Sequence, residues 1–395
     1  MNISIVVNNK ECVGCGNCSL VCSKNIIKIR LNKEGFFQSY IHKSELCVKC
    51  GKCVVVCPVF TTNGVANYNR KEPITFAAWS NDECSIIKSS SGGIFFELAK
   101  YVLNIGGYIC GAIYDSEFHV KHIVTNKISD LEKMRGSKYL QSDFSNSIQQ
   151  CLKIYEKNVP VLIVGTPCQI AAIKLYLKFN KIDFKNSPIY FIDLICHGVA
   201  SYKVFDAYKT YLERKMKSTI VSINFRFKEP SWNHFSIKIE FENGKVYKKL
   251  SEGKNRWQKL FCEDWFFKGF LRDLYLNSPC YKCKFAKLPR EGDITLGDFW
   301  GVPGQYYNEK GVSVVLINNI KGEELFNKIT NNIKYFNVDL ERAMLCNPRI
   351  YCGTWEKKRC NIEDINDFNK LRFVILADMI KSKIINIKRS LFKRK

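Results

Sequence analysis

Apolar residues along the chain form short blocks with the spacing of alternating helices and strands. Residues 94–105 repeat apolar side chains with a helical period, beginning after Ser91-Gly92-Gly93 and ending before Gly106-Gly107. Residues 108–114 form a short apolar block that is typical of a buried strand. Further blocks predict helices at residues 147–157 and 169–178 and strands at residues 161–164, 189–195, 293–296 and 312–318. This alternation predicts an α/β domain.

Two later segments have different patterns. Residues 235–250 alternate polar and apolar side chains around Asn243-Gly244, which predicts a β-hairpin. Residues 371–395 predict a helix that ends in a basic run, with seven Lys or Arg and no acid from Lys381 onward. The apolar residues Ile384, Ile385, Leu391 and Phe392 have a spacing that suits contact with anionic lipid. The alternative is a solvated basic tail.

The most specific chemical signal is a cysteine pattern, C-x2-C-x2-C-x3-C, that occurs twice with a displacement of 35 residues. In this pattern the fourth cysteine of each run ligates the other 4Fe-4S cluster. One predicted cluster therefore uses Cys12, Cys15, Cys18 and Cys57, and the second uses Cys47, Cys50, Cys53 and Cys22. Pro58 follows Cys57 as expected, whereas Ser23 follows Cys22. The alternative, a pair of structural zinc sites, seldom uses this triple step.

Composition and charge narrow the class of protein. The chain has 395 residues and 19 cysteines, and no signal-peptide pattern precedes the first motif. Abundant cysteines without a signal favour a cytoplasmic protein whose thiolates bind metal. The net charge of +24 is spread along the chain without a nucleic-acid-binding motif, so no nucleic-acid partner is expected. Residues 1–60 contain eight Lys or Arg and three Asp or Glu, which suits an acidic electron carrier such as ferredoxin.

Four further cysteines lie near predicted strand ends, where α/β sheets bind cofactors. Cys168 follows one strand, Cys196 follows the next, and Cys280 and Cys283 form a C-x2-C pair. Four thiolates there would hold a third 4Fe-4S cluster. The spacing leaves open the alternative of buried structural cysteines and a small metal clip.

Three polar segments are candidates for binding a phosphorylated cofactor. Ser91, Gly92 and Gly93 precede a helix whose free N–H groups suit a phosphate, although plain N-caps look the same. Arg135, Ser137, Lys138 and Tyr139 provide cations and hydroxyls, with a solvated loop as the alternative. Asp298 follows a strand beside two aromatic residues, where an isoalloxazine ring or a simple core would fit.

These segments together resemble the family of coenzyme F420 hydrogenase/dehydrogenase beta subunits. The resemblance runs from about residue 75 to residue 305 and rests on the ordered segments 91–93, 135–139, 165–169, 193–201, 225–228, 280–285, Arg290 and 293–301. It implies an FAD-containing catalytic domain with a cluster at Cys168, Cys196, Cys280 and Cys283. It also favours FAD phosphate binding at Ser91, Gly92, Gly93, Ser137 and Lys138. Arg135, Tyr139, Thr166 and Asp298 are further candidate cofactor-binding residues. The N-terminal double cluster also occurs in relatives, which include ferredoxin-linked reductases.

The predicted fold class is α+β, with a small two-cluster ferredoxin-like domain followed by an α/β flavin-binding catalytic domain. We divide the chain into a cluster domain (1–62), a linker (63–74), the two parts of the family-like region (75–165 and 166–345) and a helical basic tail (346–395).

The predicted function is that of a ferredoxin-linked, flavin-dependent oxidoreductase. Electrons from ferredoxin pass through the clusters to FAD, which exchanges hydride with a deazaflavin-like or other small conjugated acceptor. His197 is the candidate proton donor, with a purely hydrogen-bonding role as the alternative. A second possibility is a non-catalytic electron-transfer subunit of a larger redox complex, linked to polysaccharide biosynthesis. A third is a membrane-surface protein that uses the basic C-terminus.

Overall fold

The computed structural model describes residues 1–61, 68–255, 258, 262–354 and 359–392, with side chains as far as residue 385. Residue 62 of the cluster domain, residues 63–67 of the predicted linker, the last three residues of the basic tail and the side chains of Leu391 and Phe392 lie outside the described residues. Among the described residues, no helix is both long and apolar enough to cross a membrane.

The described strands, in chain order, are β1 (Ile27–Leu31), β2 (Phe37–Ile41), β3 (Ile74–Ser80), β4 (Tyr108–Tyr114), β5 (Val120–Thr125), β6 (Ser142–Asp143), β7 (Val161–Gly165), β8 (Ile189–Leu194), β9 (Ile220–Ser231), β10 (His234–Phe241), β11 (Val246–Leu250), β12 (Ile294–Asp298), β13 (Ser313–Ile317) and β14 (Ile333–Asn337). The described α-helices are α1 (Ser4–Asn8), α2 (Asn17–Leu20), α3 (Lys52–Val55), α4 (Glu83–Lys88), α5 (Ile94–Asn104), α6 (Ile128–Met134), α7 (Ser145–Tyr155), α8 (Pro167–Phe179), α9 (Tyr202–Met216), α10 (Trp265–Leu271), α11 (Ile320–Asn327), α12 (Leu340–Leu345) and α13 (Phe368–Phe392). This mixture of helices and strands confirms the predicted fold class.

The largest element is a nine-stranded mixed sheet with the order β14-β3-β13-β12-β8-β7-β4-β5-β6. Its centre is parallel from β4 through β7 and β8 to β12. Strand β7 is buried along its whole length, as expected for a parallel strand covered on both faces. Gly165 at the end of β7 lies opposite Asp193 near the end of β8. The two chain segments that follow these strands therefore leave the sheet at the same edge.

A second, three-stranded sheet has the order β11-β10-β9. The predicted hairpin at residues 235–250 is confirmed, because β10 and β11 pair antiparallel around Asn243-Gly244. Helices α9, α10 and α13 cover this sheet through a large apolar cluster that includes Tyr208 and Phe266. Within it, the buried carboxylate of Asp264 accepts hydrogen bonds from the hydroxyls of Tyr208 (2.6 Å) and Tyr247 (2.9 Å).

The N-terminal segment, with α1 to α3 and β1 to β2, packs directly on the rest of the chain. The buried amide of Asn17 donates to the carbonyls of Val56 (2.9 Å) and Ala172 in α8 (2.7 Å). Gln141 accepts from the N–H of Phe37 (2.7 Å). Glu34 forms an ion pair with Arg359 (2.7 Å). These polar contacts fix which face of the N-terminal segment points inward.

A buried ion pair connects the central sheet to the loops that follow it. Nη2 of Arg290 lies 2.8 Å from Oδ2 of Asp193, and both side chains are fully buried. The same guanidinium donates to the carbonyls of Leu194 (3.1 Å) and Ile350 (3.2 Å). Asp193 also accepts from the hydroxyl of Thr295. Arg290 therefore holds together the end of β8, its own loop and the segment around residue 350.

We expect Arg290→Met and Asp193→Asn each to lower the free energy of unfolding by about 3–5 kcal/mol, because each leaves a buried charge without its partner. The double variant D193N/R290M should lower the free energy of unfolding by less than the sum of the two single changes, because it removes both members of the ion pair together. Guanidinium chloride unfolding midpoints of anaerobically purified protein measure this. The control is Lys248→Met, which breaks an exposed ion pair with Glu229 (2.6 Å) and should cost about 1 kcal/mol at most. Equal midpoints for R290M and K248M would refute a stabilising role for the buried pair.

Candidate redox site

The two cysteine repeats of the N-terminal segment adopt the same local backbone. Gly16 and Gly51 both have left-handed dihedrals, with φ of 89° and 78°, and each is the N-cap of a short helix. A side chain at either position would be strained, which explains glycine in both Cys-Gly-x-Cys runs. A Cβ on Gly16 would lie 2.6 Å from Cβ of Ser145, whereas one on Gly51 would meet nothing within 4 Å. At this position, therefore, the first repeat packs tightly against the α/β region and the second has open space.

The eight cysteines of the repeats line two separate cavities. One cavity is lined by Cys12, Cys15, Cys18 and Cys57. The other is lined by Cys22, Cys47, Cys50 and Cys53. These are the two groups expected from the sequence pattern, with one cysteine exchanged between the runs. The structure thus brings together the thiols that each predicted cluster requires.

The chemistry of the first group suits a cationic metal cluster. Burial, with smaller contributions from the neighbouring thiols of Cys12 and Cys57, raises the pKa of Cys18 to about 12. Burial likewise raises the pKa of Cys15. Crowded thiols in apolar surroundings ionise only when a metal compensates the charge. No group of three or more His, Cys, Asp or Glu among the described residues is arranged for a single metal ion. A 4Fe-4S cluster is larger, with four thiolates that ligate four irons.

The two groups differ in their exposure. Cys15, Cys18 and Cys57 are buried, whereas Cys50 of the second group is exposed. Exposed apolar side chains, Leu46, Val48 and Val55, lie along the same chain segment as Cys50. Cys53 of the second group is also buried and Cys12 of the first is partly buried, so the second group is the more exposed of the two without lying wholly at the surface.

Four more cysteines converge beyond the carboxyl ends of β7 and β8. Cys168 is the second residue of α8, and Cys196 is two residues past β8. Burial, with smaller contributions from the thiols of Cys283 and Cys196, raises the pKa of Cys168 to about 12. Burial raises the pKa of Cys280 as well, with added contributions from Cys196, Cys283 and Cys168. The four thiols form one partly buried group, which fits a third 4Fe-4S cluster as the first group fits its own.

The three cysteine groups are contiguous. One apolar cluster contains Cys18, Cys53 and Cys57 together with Ala171 and Phe285. Members of all three groups pack against it, including Cys12, Cys22, Cys47, Cys168 and Cys283. Lys284, next to Cys283, donates to the carbonyl of Val59 (3.2 Å) and pairs with Glu11 (3.0 Å). The inner group therefore borders the buried group of the N-terminal segment.

His197 lies beside the inner cysteine group. Its Nε2 is 2.8 Å from Oδ1 of Asp273, a contact close enough for an ion pair but without hydrogen-bond geometry. Its ring lies 4.9 Å from the ring of Phe270. Phe270 in turn lies 4.9 Å from the ring of Tyr139. A single phenylalanine thus separates the candidate proton donor from the predicted flavin-binding segment.

The serine-rich and basic segments of the predicted flavin site meet in space. The hydroxyls of Ser90 and Ser137 are 2.9 Å apart, and Ser90 Oγ also accepts from the N–H of Ser137 (2.8 Å). Ser91 donates to the carbonyl of Val312 (2.6 Å). Gly92 lies so close to β3 that a Cβ would be 2.3 Å from the carbonyl oxygen of Ala78. The close approach of β3 therefore explains why residue 92 is a glycine, without reference to a cofactor.

Four cations surround these serines, and we call Arg135, Lys138, Arg226 and Lys228 the basic cluster. Arg226 pairs with Asp298 (2.9 Å) and its guanidinium carbon lies 3.9 Å from the ring centroid of Phe235. Lys138 and Lys228 donate to backbone carbonyls. Burial lowers the pKa of both lysines to about 7. Nε of Arg226 and of Arg135 is buried without a hydrogen-bond partner among the described residues. Arg135 also pairs with Glu132 (3.1 Å), so the two partly buried lysines are the cations of the cluster without a carboxylate partner among the described residues. Such a local excess of positive charge fits a bound polyanion such as a pyrophosphate.

Other predicted residues have different surroundings. Thr166 is the N-cap of α8 in a capping box with Gln169, and its hydroxyl lies 3.1 Å from Sγ of Cys168. It therefore borders the inner cysteines. Asp298, predicted at the ring edge, serves as the ion-pair partner of Arg226.

The sequence alone assigned no role to Ser90, Arg226, Lys228 or Asp273. Arg226 and Lys228 lie in a segment that carried the family resemblance, which was the available signal. Trp232 was also missed, although it stacks on Trp300 with ring centroids 5.5 Å apart. Nothing in its local sequence distinguishes it from an ordinary core aromatic.

Comparison with known proteins agrees with these features. A family model that describes the C terminus of the coenzyme F420 hydrogenase/dehydrogenase beta subunit matches residues 159–341. A model of the 4Fe-4S dicluster domain matches residues 11–61. No curated protein matches the chain. Among solved structures, a protein from the xenon-derivatised F420-reducing NiFe hydrogenase complex of Methanosarcina barkeri is similar at 19% identity, with a TM-score of 0.48 over 72% of this chain and 90% of that chain.

The two family matches confirm the resemblance predicted from the sequence. The dicluster match contains the eight cysteines of the repeats, and the second match contains all four inner cysteines. The chain is an iron–sulfur redox protein that combines a 4Fe-4S dicluster domain with the C-terminal domain of the coenzyme F420 hydrogenase/dehydrogenase beta-subunit family.

Proposed function

We propose that this chain is a flavin-dependent oxidoreductase that receives electrons from an acidic carrier of the ferredoxin type and passes them to a small conjugated acceptor. The observation that carries the proposal is the succession of three cysteine groups, from exposed Cys50 through the buried thiols of the first group to the partly buried group around Cys196. When bound, 4Fe-4S clusters carry single electrons and FAD converts between single electrons and hydride. The twelve cysteines would hold the clusters, in the sets Cys12/Cys15/Cys18/Cys57, Cys22/Cys47/Cys50/Cys53 and Cys168/Cys196/Cys280/Cys283.

The basic cluster supports FAD as the second cofactor. A pyrophosphate carries negative charge that Lys138, Arg226 and Lys228 would neutralise, and Ser90 and Ser137 would donate hydroxyl hydrogen bonds. Without an anion, burial destabilises the charged forms of both lysines, as their lowered pKa values indicate. A phosphorylated ligand bound beside Lys138 and Lys228 would therefore stabilise their charged forms.

His197 is proposed as the group that supplies a proton during hydride exchange. Its contact with Asp273 would hold the ring in one orientation. Its side chain is 28% exposed, so it can exchange protons with solvent. Its position beside Cys196, and one aromatic ring from Tyr139, suits a role between the inner cysteines and the predicted flavin.

An acidic carrier fits the surface around the second cysteine group. Of the three acids in residues 1–60, Glu11 pairs with Lys284 (3.0 Å) and Glu34 pairs with Arg359 (2.7 Å). Glu45 has no ion pair among the described residues. The cations near Cys50, such as Lys49 and Lys52, are therefore left to attract a negatively charged partner.

The family name points to coenzyme F420, a deazaflavin, as the first acceptor to test. Electron flow in the reverse direction uses the same residues. The competing proposal is a non-catalytic electron-transfer subunit, which would hold clusters without a flavin. Cofactor counts therefore distinguish the two.

We predict about twelve irons and one FAD per anaerobically purified chain. The double variant C168S/C196S should fall to about eight irons, because it removes two ligands of the inner group alone. His197→Gln should keep both cofactors and slow reduction of F420 by reduced ferredoxin. Iron, acid-labile sulfide and flavin assays, with turnover, measure these outcomes.

The matched control is Cys346→Ser, since Cys346 is an exposed cysteine outside all three groups and its loss should leave about twelve irons. About eight irons in the wild type would remove the inner cluster from the scheme. Full iron without flavin would favour the electron-transfer subunit.

We expect the affinity for FAD to fall as the pH rises from about 7 to about 9, by up to about tenfold per pH unit for each lysine that loses its proton. The reason is that Lys138 and Lys228 have pKa values of about 7 before the anion binds, so only lower pH keeps them charged. Equilibrium dialysis of FAD against flavin-stripped, cluster-loaded protein measures this. Lys228→Met should weaken binding at low pH and flatten the pH profile.

The control for this experiment is Lys310→Met, because Lys310 is a neighbouring cation whose ammonium pairs with Glu83 (2.6 Å). It should retain the wild-type pH profile. A profile equally steep in K228M would show that Lys228 does not contact the anion.

We predict that Lys49→Glu with Lys52→Glu slows reduction of the protein by reduced ferredoxin by about tenfold at low salt, because the charge change repels an acidic carrier. Stopped-flow absorbance of the clusters measures the rate. Lys33→Glu is the control, since Lys33 lies in the turn between β1 and β2, next to residues that contact α9. If the single change K33E slows reduction by as large a factor per substituted lysine as K49E/K52E does, the carrier does not dock beside Cys50.

A further inference from the structure

Helix α13 has apolar residues on two opposite faces. The inward face packs into the core of the three-stranded-sheet region, with Leu371 and Ile375 fully buried. The outward face carries an exposed apolar row, which we call the outer stripe, made of Phe373, Leu376, Ile380 and Ile384. Spacings of three and four residues place these side chains along one side of the helix. At 1.5 Å per residue the outer stripe is about 16 Å long.

The exposure of the outer stripe is large. Phe373 is 65% exposed, Ile380 is 59% exposed and Ile384 is 49% exposed. Scattered exposed apolar residues are ordinary, but a continuous row on one helix face marks an interaction surface. Because α13 is already docked through its inward face, the outer stripe is free for a second contact.

The charge around the outer stripe is positive. Asp378 is the single acid in residues 368–395. Its carboxylate faces the protein, where it pairs with Arg272 at 2.5 Å. Lys370, Lys381 and Lys383 flank the stripe, and the sequence continues with Lys388, Arg389 and three further cations at the end. The helix therefore presents apolar side chains bordered by lysines, with no acid on the outward side of its described residues.

We propose that α13 lies in the plane of an anionic membrane surface, with the outer stripe among the acyl chains and the lysines at the phosphate level. This arrangement is typical of interfacial helices, in which lysine stems extend along the apolar surface while their ammonium groups reach the headgroups. A second copy of the chain is disfavoured as the occupant, because two such basic faces repel each other. The proposal is independent of the redox chemistry.

The test is flotation of the full chain with phosphatidylcholine vesicles, with and without phosphatidylserine, at physiological salt. We expect wild-type protein to float with the anionic vesicles and to remain unbound with phosphatidylcholine alone. The variant F373S/I380S should bind at least about tenfold more weakly, because it removes two inserted side chains. K381Q/K383Q should also bind more weakly, by about tenfold.

The matched control is V221S with I128S, two exposed apolar residues outside α13, which should bind as the wild type does. Unchanged iron content and unfolding midpoint in F373S/I380S confirm that the variant is folded. Wild-type protein that fails to float with anionic vesicles would overturn the proposal, as would equal flotation of F373S/I380S. A dimer in light scattering that F373S/I380S abolishes would assign the stripe to a second copy instead.

Discussion

The buried ion pair between Arg290 and Asp193 determines where the cysteines of the inner group can lie. Asp193 lies near the end of β8, three residues before Cys196, and Arg290 follows the C-x2-C pair at Cys280 by a few residues. Two charges without solvent tolerate little displacement, since separation leaves each one uncompensated. The pair therefore fixes the loop with Cys280 and Cys283 against the strand ends that carry Cys168 and Cys196. Nη1 of Arg290 also donates to the backbone carbonyls of Arg349 and Ile350, so the same side chain holds the segment around residue 350.

In the N-terminal segment, a buried neutral side chain, that of Asn17, fixes the packing in a similar way through hydrogen bonds. Asn17 is fully buried, and its amide reaches across to α8. An amide that is buried without hydrogen bonds is costly, so the contact selects one orientation of the two-fold cysteine repeat. In that orientation Gly16 touches Ser145, and Gly51 faces open space. The two cysteine groups built from a symmetric sequence repeat therefore differ in their surroundings, and the group that contains Cys50 is the more exposed.

The net charge of +24 is distributed among three different environments. Cations near Cys50 are exposed, and two of the three acids of the N-terminal segment pair with residues elsewhere in the chain instead of neutralising them. The basic cluster is partly or fully buried, where lysine pKa values fall. The lysines of α13 border an apolar row. The same excess charge is therefore consistent with an acidic protein, a phosphorylated cofactor and an anionic surface as separate partners.

Local spacing was enough to specify much of the chemistry before any fold was known. The hairpin at Asn243-Gly244 and the helix from residue 94 depend on contacts between near neighbours, which a sequence pattern records directly. The eight cysteines of the repeats were recognisable because their spacing within each run is itself a motif, which also specifies the exchange of the fourth cysteine. The four inner cysteines were indicated by their positions near predicted strand ends, and the order of family motifs supported them. The folded chain was needed to show which repeat faces solvent, that Arg226 and Lys228 join Lys138 beside Ser90, and that α13 has a second apolar face. Those features depend on contacts between residues far apart in the chain, such as Ser90 with Ser137 and Asn17 with Ala172, which exist only once the sheet order is set.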